Sequence, residues 1–173
     1  MKDIIWSIKS FEELSIHELY EILKVRQEVF VVEQTCYYLD ADGYDQKALH
    51  LFAEKQGKVV AYCRIFPEGV KYPETSIGRV LTHPDFRNLK LGKTLIQFAI
   101  ETIKTRFNTT ECRISAQDYL IKFYSDFGFQ DTGKNIWKMI FHIQKWRENK
   151  FSPFMFSLVF STLFRYKVKG KYR

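Results

Sequence analysis

Residues 77–100 constrain the fold of this chain more than any other segment. An apolar strand pattern ends at Pro84, because proline has no backbone N–H to donate to a neighbouring strand. A helical pattern follows over residues 91–107, with apolar residues on one face at Leu91, Leu95, Phe98 and Ala99. A strand that turns sharply into a long helix predicts that the helix packs back against a sheet.

The rest of the chain alternates between strand and helix patterns. Apolar and β-branched runs predict seven strands, over residues 4–8, 51–54, 59–66, 76–82 and 111–115 with two more within 129–143. Helical patterns predict helices over residues 16–31, 91–107 and 117–127. Ser15 and Glu18 form a capping box before the first helix, and residues 33–50 show neither period and predict a loop. This order predicts an α/β (α+β) fold with a mixed sheet.

The start of the helix at residue 91 has features of an anion site. The first N–H groups of a helix lack partners within the helix and carry the positive end of its dipole, so they bind phosphate oxygens. Arg87, Lys90 and Lys93 add cationic donors, and Gly92 lets an anion approach the backbone. A diphosphate fits this pattern. A solvated helix start with a basic bias explains the same residues equally well.

Positive charge is concentrated near the C-terminal end. Residues 1–143 contain 19 Lys and Arg against 19 Asp and Glu, whereas residues 144–173 contain 8 against 1. A neutral domain lacks the electrostatic footprint of a nucleic-acid-binding protein, so we expect no nucleic-acid partner. The change in charge predicts a domain over residues 1–143 and a basic, apolar extension over residues 144–173.

The extension contains its own helix signal. Ser152 and Pro153 are typical of an N-cap and a first helical residue, and residues 154–164 are apolar on nearly every side. About 15 residues are too few to cross a bilayer, which takes about 20. Three interpretations stay open: packing against the domain or a second subunit of a homodimer, peripheral attachment to an anionic membrane, or a disordered extension.

The cysteines, at positions 36, 63 and 112, are too few and too scattered for a disulfide framework or a zinc site. This favours a reducing compartment, and the N-terminal residues lack the apolar region of a secretory signal. We therefore expect a cytoplasmic protein. Residues 40–45 lack the spacing and distal glutamate of an EF-hand, so we expect no metal.

Two segments in a fixed order resemble a known family. Residues 77–92 resemble motif A of the GNAT acetyltransferases, an apolar strand and proline bend followed by Arg/Gln-x-x-Gly-x-Gly/Ala, and Lys90 stands at the first of these glycines. Residues 116–117 and 123–129 resemble motif B. The N-terminal half is similar to the ElaA branch of that superfamily, through residues 11–14, 19–20, 23, 26–34, 40, 45 and 50. The resemblance covers about residues 4–143.

The resemblance implies a fold, a co-substrate and a reaction. The fold is a mostly antiparallel central sheet flanked by helices, with a V-shaped splay between its two central strands. The reaction is direct transfer of an acetyl group from acetyl-CoA to a primary amine of a small-molecule or peptide acceptor.

The resemblance also implies roles for individual residues. A backbone N–H near Leu81 polarises the thioester carbonyl. Tyr124 acts as general acid on the leaving thiolate, although its aromatic neighbours also fit a core position. The residues assigned to the cofactor are Val80, Leu81, Thr82, His83, Arg87, Asn88, Leu89, Lys90, Leu91, Gly92, Lys93, Thr94, Gln117 and Tyr124. Residues 87–94 among them hold the pyrophosphate.

The base that deprotonates the amine is less sharply defined. Glu33 is our candidate, and the spacing does not separate it from Glu28, Asp45, His50 and His83. For each of these side chains, a satisfied hydrogen bond or a solvated surface position explains the residue better than a role as base.

Two other functions stay open. The first is an acyl-homoserine-lactone synthase-like enzyme, a GNAT-like family with a similar order of the residues Arg26, Phe30, Asp42, Asp45 and Arg64. The tryptophan that follows the phenylalanine in that family is missing here. The second is a non-catalytic CoA-binding or interaction module, which is compatible with Lys90 and with the apolar extension.

Overall fold

A computed structural model describes residues 3–131 and 138–141 of the 173-residue chain. The strands are β1 (Ile5–Ser10), β2 (Leu49–Lys55), β3 (Lys58–Phe66), β4 (Thr75–Thr82), β5 (Cys112–Ser115), β6 (Phe129–Asp131) and β7 (Lys138–Phe141). The α-helices are α1 (Ile16–Arg26), α2 (Leu91–Phe107) and α3 (Ile121–Ser125).

One sheet contains all seven strands of the described residues, in the order β1-β2-β3-β4-β5-β7-β6. Neighbouring strands are antiparallel except β4 and β5, which are parallel. The predicted α/β (α+β) fold with a mixed, mostly antiparallel sheet is confirmed.

The first helix begins at the predicted capping box. The Glu18 N–H donates to Ser15 Oγ at 3.2 Å, and the Ser15 N–H donates to Glu18 Oε2 at 2.8 Å. After Arg26 the chain continues as a wider π-helical turn, Gln27–Glu33. Such turns are rare and often lie at functional sites. Glu33, the predicted base, is the last residue of this turn.

Helices cover both faces of the sheet. The α1 side buries Ile22 and Val25 against Phe52, Tyr62 and Leu81 of three successive strands. Successive strand residues point to opposite faces, so the residue after Leu81 points to the face covered by α2. The residues that α2 buries include Leu91, Leu95, Ile96, Ala99, Ile100 and Ile103.

The parallel junction between β4 and β5 is short. Residue pairs join the two strands only from Thr75 to Ile77 on β4 and from Cys112 to Ile114 on β5. Beyond Ile77, β4 runs on to Thr82 without a β5 partner among the described residues. This is the predicted V-shaped splay.

The prediction of one helix over residues 117–127 is wrong in detail. A 3-10 helix, Asp118–Leu120, precedes the short α3. Bonds between residues three apart close both ends, from the Leu120 N–H to the Gln117 carbonyl at 2.9 Å and from the Gly128 N–H to the Ser125 carbonyl at 2.9 Å. These tighter bonds replace the regular helical ladder.

Residues 144–173 lie outside the described part of the chain. The domain boundary, the helix predicted over residues 154–164 and the three interpretations of the extension therefore stay predictions.

Candidate functional site

The outer half of β4 begins with a bulge. Arg79 and Val80 of β4 together lie opposite the single residue Cys63 of β3. Arg79 has a backbone φ of 54°, in the left-handed region that costs a residue with a side chain about 1 kcal/mol or more. A bulge bends its strand and is common beside functional sites. Here the bulge begins where β4 leaves β5.

Charged and aromatic side chains hold this bulge in place. Arg79 Nε donates to Asp40 Oδ1 at 2.5 Å, and Asp40 Oδ2 accepts from Arg26 Nε of α1 at 2.7 Å. The Arg79 guanidinium also lies 5.7 Å from the ring centre of Phe30 and 5.1 Å from that of Tyr38. The strained residue is therefore tied to α1 and to the loop over residues 33–50.

Backbone N–H groups beyond the bulge face two directions. The His83 N–H donates to the Val60 carbonyl of β3 at 2.9 Å. Successive residues of an extended strand point their N–H groups to opposite sides. The Leu81 N–H therefore faces β3, whereas those of Val80 and Thr82 face the side of β5. Among the described strands, none pairs with β4 on that side at these two residues.

The bend after β4 brings three elements together. A 3-10 helix, Pro84–Leu89, leads through Lys90 into α2. Lys90 has a φ of 54°, which a glycine adopts without strain. A methyl group built on Gly92 would lie 3.7 Å from both the Thr82 side chain and the Phe123 ring. The end of β4, the start of α2 and α3 therefore converge at Gly92.

Two of the three cations at this helix start are paired with carboxylates. Arg87 donates from Nη1 and Nη2 to the two carboxylate oxygens of Glu33, at 2.7 and 2.6 Å. Lys93 Nζ lies 3.6 Å from a carboxylate oxygen of Asp126. Lys90, the third cation, is exposed. All three positive charges therefore lie at the surface, where an anionic ligand can reach them.

Tyr124 lies on α3 and is 2% exposed. Its ring packs edge to face against Phe123 and Phe129, with ring centres 5.0 and 5.9 Å apart. Burial raises the pKa of the Tyr124 phenol, and Cys63 and Tyr119 raise it further. The phenol therefore keeps its proton at neutral pH, as a general acid must.

Two of the base candidates are held inside the fold. His50 is fully buried, with Nδ1 2.8 Å from the Tyr62 hydroxyl and Nε2 3.0 Å from the Asp45 carbonyl. Burial lowers the pKa of His50 and keeps the ring neutral. The Asp45 carboxylate accepts from Arg26 at 2.6 Å and from Arg64 at 3.0 Å. These contacts occupy the groups that a base would need.

The other base candidates lie nearer the surface. His83 Nε2 is 3.5 Å from Glu28, and both residues line a cavity of about 60 Å³ beside α1. Glu33 is bound to Arg87, and the hydrogen bonds from Arg87 lower the pKa of the Glu33 carboxyl. Partial burial acts to raise this pKa but has the smaller effect. Gln117, predicted to lie along the cofactor, is 3.4 Å from Gln34 through the two side-chain amides.

Carboxylates of the loop over residues 33–50 take part in a network of buried and partly buried ion pairs. Its members are Arg26, Asp40, Asp42, Asp45, Arg64, Lys71 and Arg79. Arg64 donates from Nη1 and Nη2 to Asp42 at 2.7 and 2.9 Å, and Lys71 Nζ lies 3.1 Å from Asp42. Arg26 and Arg64 are fully buried. The residues that suggested a lactone synthase thus come together, but their charges are bonded to one another.

A family model describes the same residues. The model of the acetyltransferase (GNAT) family matches residues 16–129. The chain belongs to the GNAT acetyltransferase family. A UPF0039 protein of Synechocystis is 41% identical over 132 residues, covering 76% of this chain and 86% of that protein. ElaA of Escherichia coli is 36% identical over 126 residues, covering 72% of this chain and 82% of ElaA.

Two solved structures share this GNAT fold. An acyl-CoA N-acyltransferase from Pseudomonas aeruginosa has a TM-score of 0.75 and 31% identity, covering 79% of this chain and 98% of that one. The crystal structure of E. coli ElaA has a TM-score of 0.72 and 32% identity, covering 79% of this chain and 97% of ElaA. The predicted membership of the GNAT superfamily, with similarity to ElaA, is confirmed.

Sequence patterns did not reveal every residue that shapes this GNAT site. Arg79 and its partner Asp40 were missed as a pair, because residues 39 positions apart share no local period. By contrast, the two motifs were enough to predict the start of α2 and a role for Tyr124. Within the described residues, no group of three or more His, Cys, Asp or Glu side chains could hold a metal ion. No helix in the same part of the chain is long and apolar enough to span a membrane.

Proposed function

We propose that this GNAT protein transfers an acetyl group from acetyl-CoA directly to a primary amine. The observation that carries the proposal is the convergence at Gly92 of the end of β4, which has an unpaired edge, the cationic start of α2, and α3, the helix that contains Tyr124. These three elements offer a groove edge, an anion site and a proton donor. The family membership and the similarity to the P. aeruginosa acyl-CoA N-acyltransferase support an acyl-CoA as the donor.

The pyrophosphate of the donor would bind at the start of α2. The exposed Arg87, Lys90 and Lys93 supply positive charge, and the first N–H groups of α2 supply hydrogen-bond donors. Because Gly92 has no side chain, Thr82 of β4 and Phe123 of α3 can both lie close to the start of α2 at this point.

The N–H groups of Val80 or Thr82 would polarise the thioester carbonyl. They replace Leu81 in our proposal, since the Leu81 N–H faces β3. A single oxyanion donor of this kind is typically worth about 3 to 4 kcal/mol in the transition state. The anchoring of Arg79 by Asp40 holds the bulge from which these donors project.

The reaction breaks the thioester C–S bond and forms an amide C–N bond. The amine nitrogen attacks the acetyl carbon and releases a proton to water, and Tyr124 donates its proton to the departing CoA sulfur. The phenolate of Tyr124 then takes up a proton from water, which restores the acid. Burial raises the pKa of the Cys63 thiol, so this thiol stays protonated and does not supply a thiolate for an acyl-enzyme. Direct transfer therefore fits the interior better than a cysteinyl intermediate.

Thiol release tests the proposal. Purified protein with acetyl-CoA and a panel of primary amines should release free CoA, detected with a thiol reagent, and the acetylated amine should be identified by mass spectrometry. Tyr124→Phe should lower turnover by about 100-fold or more, while CoA affinity measured by calorimetry stays nearly the same. Equal turnover in the two proteins would remove Tyr124 as the acid.

The same experiment separates the alternative functions. CoA binding without thiol release across the panel would point to a non-catalytic CoA-binding module. Lactone formation from S-adenosylmethionine and an acyl donor would instead identify a lactone synthase.

A further inference from the structure

Two consecutive residues contact both walls of the proposed cofactor site. Glu33, the last residue of the π-helical turn, is bound to Arg87 before α2. Gln34 follows it and lies 3.4 Å from Gln117, which precedes α3. The segment over residues 33–34 therefore reaches across the site from the α1 side.

The Glu33 contact uses the chemistry that a phosphate would use. The guanidinium of arginine is a planar fork that binds carboxylates and phosphates through the same pair of N–H donors. In this chain both ends of the Arg87 fork, Nη1 and Nη2, donate to Glu33. A phosphate that binds Arg87 in two-point fashion through these donors must first displace Glu33.

The exposure of the pair makes such an exchange easy. The side chains of Arg87 and Glu33 are 48% and 38% exposed, so each can be solvated while partners change. The loop over residues 33–50 is fixed further along the chain, because Asp40 is bound to both Arg26 and Arg79. A change of partner at Glu33 therefore does not require the loop to leave the sheet.

We propose that Glu33 is an internal competitor of the cofactor pyrophosphate for Arg87, and so sets the affinity of the protein for CoA. The proposal rests on the proposed function, since it takes an acyl-CoA as the ligand. It also changes the role of Glu33. An extended pantetheine arm separates the pyrophosphate of CoA from its thioester, so a carboxylate bound at the pyrophosphate end is badly placed to deprotonate the amine.

Calorimetric titration with CoA tests the competition. Glu33→Gln keeps the size of the side chain but removes its charge, and it should tighten CoA binding by about two- to fivefold, the range expected for an exposed ion pair. When Arg87→Gln is already present, adding Glu33→Gln should no longer change the CoA affinity, because the two side chains compete through Arg87. Asp126→Asn is the matched control, since Asp126 has one longer contact, 3.6 Å, with Lys93. It should change the CoA affinity by less than about twofold.

Several results would overturn the proposal. Unchanged or weaker CoA binding in Glu33→Gln would show that Glu33 does not compete or that it orients Arg87 for the ligand. An equal gain in Asp126→Asn, or a gain that persists with Arg87→Gln, would show a general charge effect. If the unmodified protein does not bind CoA, the proposed function fails and the competition fails with it. Circular dichroism of each variant confirms that it is folded.

Discussion

The arginine–carboxylate pairs in two regions of this protein differ in almost everything except their chemistry. Under the loop over residues 33–50, Arg26 and Arg64 are fully buried and share the carboxylate of Asp45. At the start of α2, Arg87 and Glu33 form an equally short pair that is half exposed. Hydrogen-bond length alone therefore does not distinguish a structural pair from an exchangeable one.

Burial makes the difference between the two regions. A buried charge that loses its partner cannot be solvated by water. The network around Asp45 must therefore stay intact for the loop to stay packed against the sheet. An exposed charge that loses its partner is solvated at little cost, so Arg87 is available to a ligand. The first region fixes the bulge of β4, and the second region can respond to the proposed cofactor.

Asp45→Asn should show the largest loss of unfolding free energy, and it tests the buried region. The amide keeps the size of the side chain but removes the charge that Arg26 and Arg64 share. Breaking a buried pair in this way costs about 3 to 5 kcal/mol of unfolding free energy. Urea unfolding at pH 7 measures the loss. Glu33→Gln is the exposed control and should cost less than about 1 kcal/mol. Equal losses would contradict the distinction between the two regions.

Asp42→Asn should show a smaller loss of stability, which is present at neutral pH and shrinks in acid. Burial acts to raise the pKa of Asp42, but Arg64 and Lys71 outweigh it and hold the pKa well below its usual range. The stability from the ionised form is therefore complete above the unfolded pKa of about 3.9, and it is lost as the pH falls below that value. Between about pH 3.5 and pH 2, the unmodified chain should lose about 1 kcal/mol per pH unit more than the variant. Parallel curves of unfolding free energy against pH would contradict this assignment.

Lys90→Gly should show the smallest change in stability, and it tests the exposed region at the start of α2. Glycine adopts the φ of 54° without strain but gains freedom in the unfolded chain, so the net gain in stability is about 0.5 to 1 kcal/mol. Thermal unfolding measures it. Asn108→Gly is a matched control at the other end of α2, with a φ of 50°. Its gain should be smaller because asparagine tolerates this conformation better than lysine. The opposite order would show that strain at Lys90 is not what glycine relieves.

Regular patterns made most of the fold predictable. The bounds of α2, Leu91–Phe107, follow from the proline bend before it and from the apolar residues along one face. The strand order along the chain follows from runs of apolar and β-branched residues. The short α3 was harder, because the 3-10 geometry at its two ends leaves the spacing of apolar residues nearly unchanged.

Contacts between distant charges could not be predicted in the same way. Arg87 was predicted to face a ligand, but nothing in the sequence linked it to Glu33, which is 54 residues away. The oxyanion donor was placed at Leu81, and only the pairing of His83 with Val60 shows which N–H groups of β4 face the splay. Such details depend on strand register and on loop position, which local sequence patterns do not encode.

The splay between β4 and β5 also has a consequence for solvent exchange. Backbone amides in the interior of a sheet are normally protected from deuterium by the neighbouring strand. Val80 and Thr82 lie in the sheet, but no described strand pairs with them on the β5 side. Their amides should exchange quickly with heavy water in the free protein, whereas the Leu81 amide should exchange slowly. A bound acyl-CoA would slow exchange at Val80 and Thr82 by taking the place of a neighbouring strand.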